Sequence, residues 1–156
     1  MLTNKSVIGI VFGGKSSEHE VSIKSAKTIY NALRHLSNNE RYLARPIYID
    51  KSGYWHDYIF SESILLDKTD HLIFEDRKVN LTNLSKINED IDVWFPCLHG
   101  PNGEDGVIQG MFKLTGKPFV GSGILGSALG MDKIAMKSVF KSYCLPQVPY
   151  ISLNKS

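Results

Sequence analysis

Residues 7–22 read VIGIVFGGKSSEHEVS, and this stretch decides the fold. Its apolar, β-branched first half, 7–12, is typical of a strand covered on both faces of a parallel sheet. Gly13 and Gly14 then give the backbone the freedom that a tight turn needs. Ser17 followed by Glu20 is a capping-box pattern, which predicts that a helix begins there. Polar side chains therefore reach the carboxyl end of a parallel strand, where open α/β sheets bind their ligands.

The glycine turn allows two nucleotide-binding interpretations. Residues 9–16 fit the phosphate-loop pattern G-x-x-x-x-G-K-[ST], but residues 10–12 belong to the strand, so Gly9 lies in mid-strand and not at a loop mouth. The dinucleotide fingerprint G-x-G-x-x-G needs glycines that are separated by other residues, and it is absent. In a dinucleotide-binding protein, Asp50 would be the candidate for a ribose contact. Both interpretations stay open as alternatives.

A third interpretation assigns the function to the acidic residues of the turn. Glu20 is explained as the capping-box partner of Ser17. Glu18 lies in the first helical turn, where the helix dipole favours a carboxylate. At the mouth of a site, the same carboxylate could instead bind the ammonium group of a substrate.

Composition and charge restrict the class of protein. The chain has 156 residues, 42% of them hydrophobic and 22% charged, which is typical of one globular domain. Its net charge of +2 favours neither nucleic acid nor an anionic membrane as a partner. No apolar run approaches the roughly 20 residues of a membrane-spanning helix, and no secretory signal is expected at the polar amino terminus.

The cysteines and histidines predict no metal or redox site. Cys97 and Cys144 stand far apart in no metal or redox spacing, so we expect reduced thiols and a cytoplasmic protein. The five histidines lack H-x-x-x-H and H-E-x-x-H spacing, so no metal site made by this chain alone is expected.

The middle of the chain alternates helix and strand signals. An apolar stripe predicts a helix over 21–36, and alternating residues predict a strand over 43–49. A turn at 50–53 leads to a return strand at 54–55. The region 57–90 carries no motif, and its weak signals are a helical turn at 61–66 and short strands or loops at 72–74 and 78–84.

A second buried strand, 91–98, ends in a second glycine-rich turn, 99–106, which reads HGPNGEDG. A helix over 107–114 and a short strand at 119–120 follow. The remaining predictions are a helix over 127–143 and a strand that begins within 148–153. The expected fold is a small doubly wound α/β sheet of four or five mainly parallel strands, with helices on both faces.

Two glycine turns at strand ends suggest one site. A lone histidine such as His99 is usually a satisfied residue near a core, but Glu104 in the same turn could fix its tautomer and favour its charged form. Glu18, His99 and Glu104 together could hold a small cationic or zwitterionic molecule. Lys133 and Lys137 project from one helix face, which is either solvated or brings one amine to a phosphate.

Three segments resemble the amino-terminal part of D-alanine–D-alanine ligases, members of the ATP-grasp superfamily. They are residues 11–22, residues 98–110 and residues 121–133, and they keep the order of that family. The resemblance implies a Rossmann-like pre-ATP-grasp sheet, with a substrate-binding domain over 1–126. Residues 127–156 would be a linker helix and the start of the ATP-grasp domain.

The resemblance also implies an activity, namely the ATP-dependent ligation of two D-alanines through an acyl phosphate, for peptidoglycan precursor synthesis. By the family pattern, Glu18 anchors the ammonium of the first D-alanine, and His99 positions that substrate and offsets developing negative charge. Glu104 holds His99, and Lys133 contacts ATP phosphates. Mg²⁺ (or Mn²⁺) would be bound by carboxylates outside this chain, and a homodimer is an expectation because homodimers are common in the family.

The length departs from the family, whose members have three domains, so residues 1–156 alone are expected to be inactive. D-lactate or D-serine stays open as the second substrate. Two other classes also stay open. One is a nucleotide-binding α/β module of phosphate-loop or dinucleotide type without ligase activity. The other is a receiver-like or flavodoxin-like module with no chemistry of its own.

Overall fold

A computed structural model describes residues 5–68, 78–79 and 88–153 of the chain. Its strands are β1 (Ser6–Gly13), β2 (Tyr42–Ile49), β3 (Trp55–His56), β4 (Lys78–Val79) and β5 (Val93–Pro96). Its helices are α1 (His19–Arg34), α2 (Tyr58–Leu65), α3 (Val107–Leu114), α4 (Ile124–Met131) and α5 (Lys133–Ser142). Among these helices, none combines the length and the apolar character that crossing a membrane requires.

The strands form one sheet in the order β4-β3-β2-β1-β5. The central strand β1 is parallel to β2 on one side and to β5 on the other. The short strands β3 and β4 add antiparallel pairs at one edge. Beyond β5, Phe119 makes a single parallel bridge to Trp94. The prediction of a mainly parallel sheet, with a hairpin after β2, is confirmed.

Helices cover both faces of the sheet, as predicted. Ile10 and Phe12 of β1 point into a core that also contains Ala26 and Tyr30 of α1 and Phe60 of α2. The alternate side chain of β1, Val11, points to the opposite face, and the core there is completed by α3. In this second core, the rings of Trp94 and Phe112 stack with centroids 5.0 Å apart. Both faces of β1 are therefore buried, which explains its nearly continuous apolar sequence.

The predicted capping box is wrong. Helix α1 begins at His19 with Glu18 at the N-cap position, and no side chain caps it there. The preceding turn supplies the missing acceptors, because Ser16 Oγ accepts from the backbone N–H of Glu18 at 3.2 Å and Ser16 O accepts from that of His19 at 3.3 Å. Glu20 is turned outward and pairs with Lys51 at 3.0 Å, a contact that lowers the pKa of its carboxyl group.

The helix predicted over 127–143 is two helices, α4 and α5, separated at Asp132. Asp132 is extended (φ −78°, ψ 103°), and its carboxylate accepts from the backbone N–H groups of Ile134 at 2.9 Å and Ala135 at 3.0 Å. An aspartate in this position caps the following helix and so interrupts a continuous one. None of the residues of α5 is buried.

The division at residues 126 and 127 stays a prediction, and it falls inside α4. The strand expected within 148–153 is absent from the described residues, where 145–153 carry no regular structure and Pro149 lacks an N–H for a ladder. The helical turn expected at 61–66 belongs to α2. The signals at 72–74 and most of 78–84 lie outside the described residues, and β4 occupies 78–79.

Candidate functional site

The two glycine-rich turns lie side by side because the strands that precede them, β1 and β5, are parallel neighbours. A buried serine of α1 joins them. The Ser22 hydroxyl accepts from the backbone N–H of Gly13 at 2.8 Å and donates to the carbonyl of Cys97 at 2.6 Å. Since Ser22 is fully buried, these two bonds form away from water and hold the ends of both strands to one helix.

The Glu18 carboxylate reaches across to the second turn. A Cβ on Gly100 would lie 2.8 Å from Glu18 Oε2, and Gly100 has a φ of +72°. The left-handed backbone favours glycine here, and the missing Cβ leaves space that the carboxylate occupies. The side chain of Glu18 is itself exposed, so its carboxylate remains open to a ligand while it lies against the turn that carries His99.

His99 lies between a carboxylate and a hydroxyl. Its Nδ1 is 3.8 Å from Glu104 Oε1, an ion-pair distance that exceeds a hydrogen bond. Its Nε2 is 3.1 Å from Ser25 Oγ on α1. The other carboxylate oxygen of Glu104 accepts from the backbone N–H of Gly100 at 2.9 Å. The structure therefore brings Glu18, His99 and Glu104 together, and it adds Ser25, which the sequence analysis did not identify.

A second histidine, His19, also supports the first turn and was missed. It is buried at the start of α1. Because a carbonyl only accepts, Nδ1–H of His19 donates to Gly14 O at 2.6 Å, and its Nε2 then accepts from the Tyr48 hydroxyl at 3.0 Å. Burial, with smaller contributions from Asp50 and Glu20, raises the pKa of Tyr48 to about 12, so this hydroxyl keeps its proton.

A signal for these residues was present in the sequence. His19, Ser22 and Ser25 follow one another at intervals of three, a spacing that places side chains on one side of a helix. The apolar stripe predicted this helix, and the polar row beside it was overlooked. The row explains how one helix contacts both turns.

A cleft of about 320 Å³ opens beside the turns, on the face of the sheet that α3 covers. Its polar lining comes from both turns and includes Lys15, Ser16, His99 and Asn102. Its apolar lining includes Ile49 and Met111. A concave, largely apolar pocket with a few convergent polar groups is the usual form of a small-molecule site, and this volume lies within the usual range.

The phosphate-loop interpretation does not fit this geometry. Gly9 lies in the middle of β1, where a Cβ would come within 2.8 Å of the Trp94 ring, so this glycine makes room for the core. The aliphatic part of Lys15 lies against Gly53 of the neighbouring hairpin. Lys15 therefore follows a strand and packs on a turn, which is not the cradle of backbone N–H groups that phosphate binding needs.

Asp50, the candidate ribose ligand, has a structural role in the hairpin. One oxygen accepts from the backbone N–H groups of Ser52 at 2.8 Å and Tyr54 at 3.0 Å, and the other contacts His56 Nε2 at 3.0 Å. Burial works to raise the pKa of Asp50, but these hydrogen bonds outweigh it and hold the pKa below its usual value. A carboxylate that is engaged in this way is not free to bind a ribose.

Lys133 is the first residue of α5. Its Nζ donates to Gly130 O at 2.9 Å, and the Lys137 amine lies 4.8 Å from the centre of the Tyr150 ring. In the described ranges, no three His, Cys, Asp or Glu side chains are grouped so that they could hold a metal ion.

Comparison with known proteins supports the resemblance that the sequence suggested. A family model described as "D-ala D-ala ligase N-terminus" matches residues 7–122. The chain is similar to proteins named D-alanine--D-alanine ligase from two strains of Prochlorococcus marinus, with 86% identity over 156 residues for NATL1A and 87% over 155 residues for NATL2A. These alignments cover 100% and 99% of this chain and 44% of each relative, so the chain spans less than half of their length.

Solved structures give the same result for the fold. The D-alanine-D-alanine ligase from Coxiella burnetii superposes with a TM-score of 0.78 at 36% identity, over 93% of this chain and 44% of that protein. The VanG D-Ala:D-Ser ligase from Enterococcus faecalis superposes with a TM-score of 0.73 at 33% identity, over 89% of this chain and 42% of that protein.

Proposed function

Because the chain belongs to the D-alanine–D-alanine ligase family, of which it carries the amino-terminal part, we propose that the full-length protein ligates two D-alanines into D-alanyl-D-alanine. This dipeptide would serve peptidoglycan precursor synthesis in the cytoplasm. The observation that carries the proposal is the meeting of the two turns, where the Glu18 carboxylate lies against the turn that presents His99. The cleft beside the turns is open and combines an apolar lining with a few polar groups, as small-molecule sites usually do.

Each residue of the site has a role that its surroundings support. The exposed carboxylate of Glu18 binds the ammonium of the first D-alanine by a charge-assisted hydrogen bond, which orients that substrate. The imidazole of His99 lies beside the substrate and offsets negative charge that develops on it. Glu104 lies 3.8 Å from Nδ1 of His99 and also accepts from the backbone N–H of Gly100, which holds the turn that carries the imidazole.

ATP supplies the phosphoryl group that turns the carboxylate of the first D-alanine into an acyl phosphate, which the amine of the second D-alanine attacks. Lys133 is proposed to contact the ATP phosphates, since an amine at the start of an exposed helix can reach a ligand held by the rest of the protein. Glu18 and Glu104 face a turn and a backbone N–H in this structure, and no described group of three donors fits a metal ion. Carboxylates outside this chain are proposed to bind Mg²⁺ or Mn²⁺, and a homodimer stays a prediction.

The test is a D-alanine-dependent release of phosphate from ATP by the full-length protein, with the product identified by mass. We expect D-alanyl-D-alanine. The purified chain 1–156 should form none, because it spans 44% of the length of its relatives. ATP hydrolysis with a product other than D-alanyl-D-alanine would refute the substrate assignment. Dipeptide made by the chain 1–156 would show that the rest of the full-length protein is not needed for ligation.

The second substrate needs its own comparison. The structural likeness to a D-Ala:D-Ser ligase makes D-serine a specific competitor, and D-lactate is the corresponding hydroxy acid. Equimolar D-alanine and D-serine, and then D-alanine and D-lactate, should give D-alanyl-D-alanine as the main product. A main product that ends in D-serine or D-lactate would show that the protein is a ligase with a different second substrate.

A further inference from the structure

Helix α1 connects the two proposed substrate contacts. Glu18 is its N-cap residue, and Ser25 lies seven positions further along, which is two helical turns or about 10 Å. Seven residues bring a side chain back to nearly the same side of a helix. Ser25 and Glu18 therefore face the same region, and a rigid helix fixes the distance between them.

Within α1, Ser25 contacts the second turn through a hydrogen bond to His99. Its Oγ lies 3.1 Å from His99 Nε2, although the two residues are 74 positions apart in sequence. Among the described residues, this is the hydrogen bond recorded for the His99 ring, since Glu104 Oε1 lies at 3.8 Å. The ring orientation of His99 is therefore set more closely by Ser25 than by Glu104.

His99 presents Nδ1 to a carboxylate and Nε2 to a hydroxyl. When Nε2 carries no proton, it accepts from the Ser25 hydroxyl. When the imidazole gains a second proton, the same hydroxyl accepts from Nε2–H. A hydroxyl is suited to this position because it serves both forms of the ring.

We infer that Ser25 is a positioning residue, which holds the His99 imidazole in one orientation and places it relative to Glu18 through α1. This inference rests on the proposed role of His99 in binding D-alanine. Ser25 acts only through His99 and does not touch the substrate. It should therefore affect the use of D-alanine and leave the affinity for ATP unchanged.

A nearby hydroxyl offers a matched control. Thr28 lies one turn further along α1, is exposed, and donates from Oγ1 to the Lys24 carbonyl of its own helix at 3.1 Å. Thr28→Ala removes a hydroxyl from the same helix without touching the site.

The kinetic test uses the full-length protein. Ser25→Ala should lower kcat/KM for D-alanine about threefold to tenfold, as expected for one lost hydrogen bond, while KM for ATP changes less than about twofold. Ser25→Thr keeps the hydroxyl and should restore most of the loss, and Thr28→Ala should match the wild type. Added to His99→Ala, Ser25→Ala should cause no further loss, because the residue it acts through is gone.

A second measurement does not depend on activity. In the full-length protein labelled with ¹⁵N in histidine, with His99 assigned from the spectrum of His99→Gln, the wild type and Ser25→Thr should give matching His99 ring signals. Ser25→Ala should shift these signals, because the ring loses its hydrogen-bond partner at Nε2. Unchanged His99 signals in Ser25→Ala, or additive losses in the double variant, would overturn the inference. If the wild type makes no dipeptide but Ser25→Ala still shifts the His99 signals, the proposed function alone is refuted.

Discussion

Two glycines leave room for a neighbouring side chain because they have no Cβ. At Gly9, a Cβ would lie 2.8 Å from Cε3 of Trp94, so the glycine lets the indole ring pack against β1. At Gly100, the same kind of close approach lets the Glu18 carboxylate lie against the second turn. The first glycine therefore serves the core, and the second serves the site.

Gly9→Ala should destabilise the chain by about 1–3 kcal/mol, because the added methyl overpacks a core in which Trp94 is already stacked on Phe112. The measurement is urea unfolding of the 156-residue chain. Gly110→Ala is the control, since it lies within α3 with no atom within 4 Å of its Cβ and should gain roughly 0.5–1 kcal/mol of helix stability. Equal stability of Gly9→Ala and the wild type would contradict the packing argument.

For the individual residues, the sequence predicted the proximity of Glu18, His99 and Glu104, because each follows a strand whose neighbour is parallel. It did not predict the contact of Ser25 with His99, since a hydrogen bond across 74 positions leaves no local pattern. The roles of Glu18, His99, Glu104 and Lys133 stay predictions until variants are measured.

Among the elements, those with a strong local pattern were predicted well. Helix α3 (Val107–Leu114) has the predicted bounds, and β1 extends the predicted strand by one residue at each end. The break between α4 and α5 was missed, because the apolar positions continue across it. The signal that marks it is Asp132, whose carboxylate caps α5 and whose own backbone leaves the helical conformation.

Asp132→Ala should loosen the first turn of α5. Its carboxylate accepts from two backbone N–H groups, of Ile134 and Ala135, and losing such a cap costs about 1 kcal/mol. Hydrogen exchange of these two amides in the 156-residue chain should become about fivefold faster, while exchange in β1 stays the same. Asp132→Asn keeps an acceptor and is the control. If both variants exchange at the wild-type rate, the carboxylate does not cap this helix.

For the whole molecule, the site follows from topology. The sheet order β4-β3-β2-β1-β5 puts the turns after β1 and β5 at the same edge, and α1 is bonded to both. The sequence indicated parallel strands and helices on both faces. It could not give the strand order, because pairing depends on contacts between distant segments and not on the periodicity within each one.

We propose that Glu18, and not Glu20 in the same motif, binds the substrate ammonium. Glu18 lies against the second turn, whereas Glu20 pairs with Lys51 at the surface. The most direct measurement is therefore kcat/KM for D-alanine in full-length Glu18→Gln and Glu20→Gln, compared with the wild type. We predict a loss of about 10- to 100-fold for Glu18→Gln, as expected for a bond to a charged group, and less than about twofold for Glu20→Gln. Equal effects of the two substitutions, or no effect of Glu18→Gln, would show that Glu18 does not bind the substrate ammonium.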